Sequence, residues 1–164
     1  MNEVKKRPLD RLDMNILRAL QADGRISYVE LAEKVGLSST PCIERVKRLE
    51  KDGFIEGYYA RLNADALGFS MLVFVEIALS YQSPDAFSEF NKAIKKLPYI
   101  LECHLVSGDA DYLIKARIDG MSEYRALLGD MLLTLPGVKN SKSYIVMEEV
   151  KESQSLPIKF NPKK

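Results

Sequence analysis

The sequence predicts an α+β fold with two parts: an N-terminal helix-turn-helix domain of winged-helix-like type and a C-terminal βαββαβ domain of ferredoxin-like type. Between residues 12 and 51, apolar side chains recur at helical spacing, with breaks of only a few residues. From residue 71 onward, strand-like runs and amphipathic helical stretches follow one another in the order βαββαβ. We expect the helix-turn-helix domain in residues 1–53, a strand and linker in 54–69, the ferredoxin-like domain in 70–152 and a tail in 153–164.

Composition limits the possible classes of function. The 24 Lys and Arg residues nearly balance the 23 Asp and Glu residues, so a nucleic-acid partner would require basic groups gathered on one surface. Cys42 and Cys103 lie far apart and His104 is the single histidine, which excludes a zinc-binding spacing and a disulfide framework. We expect no metal, no cofactor and two reduced, buried thiols.

The hydropathy pattern argues against a membrane protein. No run approaches the roughly 18 apolar residues that span a bilayer, and no apolar signal core stands at the N-terminus. We therefore expect a cytoplasmic protein with no membrane partner.

The first predicted helix covers residues 12–22. Leu12, Ile16 and Leu20 fall on one helical face, and Asp10 is available near the start. This face should pack against the helices that follow.

The second predicted helix is marked by its caps. Ser27 and Glu30 have the spacing of a capping box, in which each side chain bonds the backbone N–H of the other residue. The helix should run over about residues 28–35 and end at Gly36. Because only residues 36–38 separate it from a third helix, the arrangement is typical of a helix-turn-helix unit.

The third helix has two contrasting faces, since each residue advances about 100° around the axis. The apolar face holds Cys42, Ile43, Val46 and Leu49. The opposite face holds Thr40, Glu44, Arg48 and Lys51, with Pro41, Arg45 and Lys47 on its flanks. Ser38, Ser39 and Thr40 gather at the N-terminus, the end that enters the major groove in this motif. Pro41 is tolerated there because a first-turn backbone N–H has no intrahelical acceptor.

This polar face predicts a DNA-binding surface. Hydroxyls and exposed backbone N–H groups hold phosphates, whereas an arginine pairs with O6 and N7 of guanine. We expect Arg45 and Arg48 to read bases, and Lys47 and Lys51 to contact phosphates. The complete predicted interface comprises Ser38, Ser39, Thr40, Pro41, Glu44, Arg45, Lys47, Arg48 and Lys51.

Two alternatives stay open for the basic residues. The face could be only the charged outer side of an amphipathic helix, which any surface helix carries. The basic run at residues 5–7 is either an additional phosphate contact or a solvated tail.

The next segment predicts a strand and a connector. Residues 54–61 are rich in β-branched and aromatic side chains, and Asn63, Asp65 and Gly68 follow them. Pairing with the equivalent strand of a second subunit would protect the exposed backbone edge.

The C-terminal domain begins with residues 71–80, MLVFVEIALS, a predicted strand that is apolar on both faces. A helix follows over residues 85–97. Two strands are predicted in residues 100–108 and 111–118, joined through Gly108, Asp109 and Ala110.

The domain ends with a second amphipathic helix and a last strand. The helix carries Tyr124, Leu127, Leu128, Met131 and Leu135 on its apolar side. The last strand is predicted in residues 141–151, and the tail is either loosely ordered or packed as an extended arm. Because both helices can cover one face of the sheet, the other face is left to a partner chain, which predicts a dimer.

Both parts of the chain resemble the Lrp/AsnC family, the leucine-responsive and asparagine-responsive regulators of bacteria and archaea. DGRISYVELAEKVGLSSTPCIERVKRLEKDGFIEGY is similar to the DNA-binding segment of the family. ECHLVSGDADYLIKARI and LPGVKNSKSYIVMEEVK are similar to its effector-binding domain. The resemblance extends from about Leu9 to Glu152 and is strongest to the leucine-responsive and alanine-catabolism branches.

The resemblance implies a bacterial, nucleoid-associated regulator that binds double-stranded DNA, forms homodimers that assemble into octamers or related rings, and senses a small amino acid. Leucine is the first expected effector and alanine the second. The effector site lies between dimers, and its turn matches Gly108, Asp109 and Asp111. The end of the second helix and the last strand match Thr134, Leu135, Pro136, Tyr144, Val146 and Met147. Ala110 departs from the aromatic residue frequent at this position, so the shape of the pocket is expected to differ.

Physical chemistry permits such a site, because a glycine allows close backbone approach and a carboxylate accepts an ammonium group. A tight GDAD turn is also simply a turn.

Other classes of function fit less well. His104 and Ser107 lie on opposite faces of a strand, so they do not form a nucleophile and base, and we expect no enzyme. The alternative function is an amino-acid-sensing oligomer without sequence-specific DNA binding.

Overall fold

A computed structural model of the chain describes residues 8–159, although no side chain is described for residues 130–133. The described residues form two compact units. The first combines the residues up to Arg61 with those from Glu152 onward, and the second is Leu62–Lys151.

Three helices form the first unit: α1 (Arg11–Ala22), α2 (Tyr28–Val35) and α3 (Ser39–Lys51). The predicted bounds of α2 are confirmed, and its Ser27–Glu30 capping box is present. Gly36 ends α2 in the left-handed conformation, with φ of 73°, and Leu37 N–H donates to the carbonyl oxygen of Ala32. This closure turns the chain into α3 within three residues.

The core of this unit contains one apolar stripe from each helix. Its buried members are Ile16, Ala19, Leu31, Ala32, Val35, Cys42, Val46 and Leu49. Cys42, Val46 and Leu49 have no exposed surface, as expected for the apolar face of α3, whereas Ile43 is half-buried. The outer face of α3 is thereby turned away from the core.

The strand predicted at residues 54–61 is wrong for the single chain. This segment is not paired as a strand; instead, the backbone N–H groups of Phe54 and Ile55 both donate to the carbonyl oxygen of Leu49. Phe54 and Ile55 also pack against the helical core. A β-ladder needs a second strand, and the described chain offers none here. A short 3-10 helix, Asp65–Leu67, follows.

The C-terminal segment packs as an extended arm on α1, one of the two predicted alternatives. The guanidinium of Arg18 donates to the carbonyl oxygen of Ile158 at 2.9 and 3.1 Å. Gln21 and Leu156 exchange two hydrogen bonds, both 2.9 Å long. Residues 152–159 therefore belong structurally to the helical unit rather than to the domain that precedes them in sequence.

The second unit has the predicted order βαββαβ. Its elements are β1 (Met71–Leu79), α4 (Pro84–Ile94), β2 (Ile100–Leu105), β3 (Tyr112–Ile118), α5 (Met121–Thr134) and β4 (Val138–Ile145). The strands lie in the order β2-β3-β1-β4 and every neighbouring pair is antiparallel. The ferredoxin-like arrangement is confirmed.

One face of this sheet is covered by α4 and α5. Val73, Val75 and Ile77 of β1 have no exposed surface and share a core with Phe90 and Leu127. The strand predicted in residues 71–80 was expected to be covered on both sides, but Phe74, Glu76 and Ala78 alternate with the core residues and remain half-exposed. Within the described chain, the sheet is covered on one side.

The last strand begins and ends earlier than predicted. Val138 lies opposite Leu79 and Ile145 lies opposite Val73, so β1 sets the length of β4. The N–H of Val146 donates to the carbonyl oxygen of Leu72, after which pairing stops. Val146 and Met147 therefore follow the strand instead of lying on it. The predicted helical residue Met131 lies outside the described side chains.

Candidate functional site

The N-terminus of α3 presents several donors to solvent. Ser38 is the N-cap, with extended backbone, yet its hydroxyl makes no capping hydrogen bond. Ser38 and Thr40 are exposed and Ser39 is half-buried. The first-turn N–H groups of a helix have no intrahelical acceptor, and the partial positive charge of the helix end favours anions. This end of α3 is therefore suited to a phosphate group.

The outer face of α3 divides into two classes of side chain. Glu44, Lys47 and Lys51 are exposed, in agreement with the predicted face. The side chains of Arg45 and Arg48 are only 23% and 27% exposed, because both turn toward α1. The lysine side chains thus extend into solvent, while the arginine side chains are held by ion pairs with α1.

Asp13 of α1 lies beneath both arginines. Its side chain is 1% exposed, and its Oδ1 atom lies 2.7 Å from Nη1 of Arg45 and 2.5 Å from Nη2 of Arg48. The same Nη1 of Arg45 is 2.6 Å from Oδ2 of Asp10. Two carboxylates therefore balance the two guanidinium groups on this surface.

The acidic pair is itself fixed by the start of α1. Asp10 is the N-cap: its Oδ1 accepts from the N–H of Asp13, and Oδ2 of Asp13 accepts from the N–H of Asp10. Partial burial acts to raise the pKa of Asp10, but the Asp13 hydrogen bond and Arg45 outweigh it and lower that pKa. The pKa of Arg45 is raised by hydrogen bonds to Asp10 and then to Asp13.

Sequence reasoning missed Asp13. It assigned Asp10 to the start of the first helix but gave no role to the acid three residues later. One sequence feature could have indicated its role: Asp13 lies beside Leu12 and Ile16 on the inward side of a helix. Burying an unpaired carboxylate there is unfavourable in free energy, so a partner is expected. Its two partners lie more than 30 residues away, which no local pattern indicates. The basic run at residues 5–7 lies outside the described residues.

The second candidate site centres on the turn between β2 and β3. Gly108 has φ of 141°, in the region that glycine tolerates, and Asp109 is exposed. Asp111, in contrast, is 8% exposed and points inward. Its Oδ2 accepts from the N–H of Leu79 at 2.7 Å, and its Oδ1 accepts from Nε2 of Gln82 at 2.8 Å.

The backbone of Asp111 is engaged as well. Its N–H donates to the carbonyl oxygen of Ile77, and its own carbonyl accepts from the N–H of Val106, both at 2.9 Å. Asp111 thus connects the turn to the end of β1. Of the two carboxylates in this turn, Asp109 is the one with an exposed side chain.

The end of α5 belongs to the same end of the sheet as this turn. Thr134 ends α5, Leu135 is 5% exposed, and Pro136 is half-buried. The N–H of Ser80, just after β1, donates to the carbonyl oxygen of Gly137 at 2.8 Å. The structure therefore brings the predicted residues of the turn and of the α5 end to the same end of β1.

The remaining predicted effector residues lie toward the opposite end of β1. Tyr144 pairs with Phe74, whereas Asp111 reaches Leu79, five positions along the strand. At about 3.3 Å per residue this separation is roughly 17 Å. Val146 and Met147 lie still further along, and Met147 is 96% exposed. Within one chain, the nine predicted residues do not line a single small-molecule pocket.

Tyr144 lies on the uncovered face of the sheet. Its hydroxyl donates to Oε1 of Glu76 at 3.2 Å, and Nζ of Lys142 lies 5.0 Å from the centre of its ring. On the same face, Glu102 lies 3.0 Å from Nζ of Lys115 and 3.2 Å from Nε2 of His104. His104 is thus an exposed hydrogen-bond partner of Glu102 within a polar sheet surface.

Three further features concern other classes of site. Among the side chains that the structure describes in residues 8–159, His, Cys, Asp and Glu form no cluster of three or more that could hold a metal ion. In this part of the chain, every helix is too short or too polar to cross a membrane. Cys42 is buried as expected, whereas Cys103 is only half-buried.

Both units match established domain families. Residues 9–56 match the winged helix-turn-helix DNA-binding family, and residues 72–156 match the Lrp/AsnC ligand binding domain. The leucine-responsive regulatory proteins of Klebsiella pneumoniae and Escherichia coli are each 60% identical over 162 residues, covering 97% of this chain and 99% of theirs.

Solved structures show the same relationship. A transcriptional regulator from Neisseria meningitidis, in complex with L-methionine, has a TM-score of 0.87 and 35% identity over 92% of this chain and 97% of its own. An AsnC family transcriptional regulator from Agrobacterium tumefaciens has a TM-score of 0.87 and 34% identity, covering 91% and 97%. These relatives are regulators rather than enzymes. From its two domains and its relatives over nearly the whole length, the chain belongs to the Lrp/AsnC family of transcriptional regulators.

Proposed function

We propose that the protein regulates transcription by inserting α3 into the major groove, where Arg45 and Arg48 read base edges and Lys47 and Lys51 contact phosphates. The observation that carries this proposal is the outer face of α3, where two held arginines lie between exposed lysines and an exposed, hydroxyl-rich helix end. Ser38, Ser39, Thr40 and Pro41 approach the phosphates at that end, and Glu44 lies on the same face.

The proposal has a direct test. Selection from a random DNA library should enrich a defined duplex, and increasing salt should weaken binding to it. Equal binding to the enriched duplex and to a shuffled one would favour the alternative function, an amino-acid-sensing oligomer without sequence-specific DNA binding.

We further propose that the chain forms a homodimer through the uncovered sheet face and through residues 54–61. Phe74, Leu113 and Tyr144 on that face are incompletely covered, and Tyr59 is 87% exposed. Two copies of α3 would then meet successive major grooves, about 34–36 Å apart or at a multiple of that spacing. The family relationship supports further assembly into an octamer or a related ring, which would hold several half-sites and favour bending of DNA.

The ligand is proposed to be a small amino acid, with leucine first and alanine second. The turn residues Gly108, Asp109 and Asp111 would lie close to the ligand, and exposed Asp109 would accept its ammonium group. Leu135 and Pro136 would add an apolar wall, with Thr134 beside them. Because Tyr144, Val146 and Met147 are at the far end of β1, they would complete the site from another subunit.

Calorimetry can identify which amino acid is the effector. The curated relatives are named for leucine, and the Neisseria neighbour was solved with L-methionine, so leucine, alanine and methionine form the natural test set. We expect leucine to bind most tightly. Tighter binding of alanine or methionine would reassign the effector, and no binding by any of the three would remove the amino-acid proposal.

The effector acts, in this proposal, by binding one assembly state more tightly than another, which is the only way a ligand shifts such an equilibrium. The cellular location that follows is the cytoplasm, in association with the nucleoid, because its DNA target is there. We also propose that the chain divides by function into a DNA-binding part, residues 1–53, a strand and linker, residues 54–69, a ligand-binding and oligomerisation part, residues 70–152, and a tail, residues 153–164.

A further inference from the structure

The side chain of Asp13 is placed to control two predicted base-reading residues at once. It is buried, its Oδ1 atom is shared by the guanidinium groups of Arg45 and Arg48, and its Oδ2 is occupied by the N–H of Asp10. Asp13 comes from α1, so it is not part of the α3 surface that would meet DNA. Any effect of Asp13 on base contacts must therefore pass through the arginines.

We propose that Asp13 is a positioning residue: it orients Arg45 and Arg48 for base contact and thereby sets how strongly the protein discriminates between DNA sequences. This inference rests on the proposed function, because it concerns the same surface of α3.

The first argument is entropic. A free arginine samples many rotamers, and ordering it on binding costs free energy. The carboxylate of Asp13 is buried and is held by the cap of its own helix. It therefore fixes the side chains of both Arg45 and Arg48 before DNA binds. Each guanidinium has five N–H donors, and the ion pairs engage one terminal nitrogen of each, so donors remain for a base edge.

The second argument is electrostatic. Asp10 and Asp13 cancel the charge of Arg45 and Arg48, and any carboxylate near DNA opposes attraction to phosphates. Non-specific affinity alone would therefore be served better by an uncharged residue at position 13. A buried acid at this position is understandable if the geometry of the arginines matters more than their net charge.

The two effects predict opposite changes in one variant. Asp13→Asn keeps the size of the side chain and removes one negative charge. Binding to a shuffled duplex should stay equal or tighten, whereas binding to the duplex most enriched by the wild-type protein should weaken. The ratio of the two affinities should fall about tenfold, the scale of one lost arginine–guanine contact.

Matched variants separate positioning from charge and from folding. Glu33→Gln removes the same charge from an exposed site on α2 and should leave the affinity ratio unchanged. Asp13→Glu keeps the charge but moves the carboxylate by one methylene, and it too should lower the ratio. Circular dichroism of each variant reports its fold, and Asp13→Glu carries the test if Asp13→Asn unfolds.

A double-mutant cycle tests whether Asp13 acts on DNA discrimination through Arg48. In an Arg48→Ala background, Asp13→Asn should lower discrimination by much less than it does in the wild type, because one of its two targets is gone. An unchanged affinity ratio in folded Asp13→Asn or folded Asp13→Glu would overturn the inference. A wild-type protein without sequence preference would instead overturn the proposed function, so the two failures are distinguishable.

Discussion

The carboxylate of Asp111 accepts a hydrogen bond from the backbone N–H of Leu79 at 2.7 Å, which joins the turn after β2 to the last residue of β1. The contact is nearly inaccessible to water, and the second carboxylate oxygen is taken by Gln82. Asp111 is therefore first a structural acceptor, and any contact with a ligand must be compatible with that role.

Replacing Asp111 should cost stability. Asp111→Ala leaves the buried N–H of Leu79 without its acceptor and should lower the free energy of unfolding by about 2 kcal/mol. Denaturant unfolding measures this change. Asp109→Asn is the matched control: it should leave stability unchanged but weaken amino-acid binding in calorimetry. An equally stable Asp111→Ala protein would contradict the structural role.

Arg48 and Lys47 should differ in what they contribute to DNA binding. Arg48→Ala should cost about 1–3 kcal/mol on the enriched duplex and little on a shuffled one, as expected for a bidentate base contact. Lys47→Ala should weaken binding to both duplexes by a similar factor and reduce the salt dependence by about one phosphate contact. Titrations at several salt concentrations distinguish the two, and equal losses for Arg48→Ala on both duplexes would make it a phosphate contact.

The helix-turn-helix unit should lose stability in acid through Asp10. The folded-state pKa of Asp10 is below its ordinary value of 3.8, so the unfolded chain takes up the proton first as pH falls. The stabilisation is present above pH 3.8 and is lost as pH falls through the lower folded-state pKa. Comparing acid unfolding of the wild type with that of Asp10→Asn isolates this effect, since the variant should lack this component of the pH dependence.

Tyr58 should titrate late in alkali. Tyr58 is 47% exposed, and the partial burial of its ring, followed by its hydrogen bond to Glu50, raises its pKa from 10.0 to about 12. Because the unfolded chain ionises first, stability should fall as pH rises from 10 toward 12. Absorbance of tyrosinate follows the titration, and the difference between wild type and Tyr58→Phe identifies this one group. A midpoint near 10 in that difference would show that neither the partial burial of Tyr58 nor its hydrogen bond to Glu50 is maintained.

The uncovered sheet face should govern self-association. Leu113 lies there between Glu76 and His104, and is half-buried in the single chain. Leu113→Lys would introduce a charge into an interface and should shift sedimentation toward monomers. Glu89→Lys, on the exposed side of α4, is the control and should leave assembly unchanged. A fully assembled Leu113→Lys protein would exclude this face as the dimer contact.

Local signals were the reliable part of the sequence. The bounds of α2 follow from Ser27, Glu30 and Gly36, because capping groups act within a few residues. The order βαββαβ follows from apolar periodicity in the same way. These features depend on neighbours along the chain and are visible without coordinates.

Features that depend on residues far away along the chain were harder to predict from the sequence. The end of β4 is set by its register with β1, and residues 54–61 have strand-like composition without a strand to pair with. The residues next to Asp13 and Asp111 in the sequence do not indicate that their partners lie on α3 and β1. Both are carboxylates whose role is decided by which donor the fold brings to them.

The extended arm on α1 has a practical consequence for shortened forms of the protein. A fragment that stops at residue 61 would include all three helices but lose the Ile158 carbonyl, which accepts both hydrogen bonds from Arg18. It would also lose the two hydrogen bonds between Gln21 and Leu156. Weak DNA binding by such a fragment would reflect the missing terminus as well as the missing ligand-binding domain. Fusing residues 152–159 back through a flexible spacer would separate these two contributions.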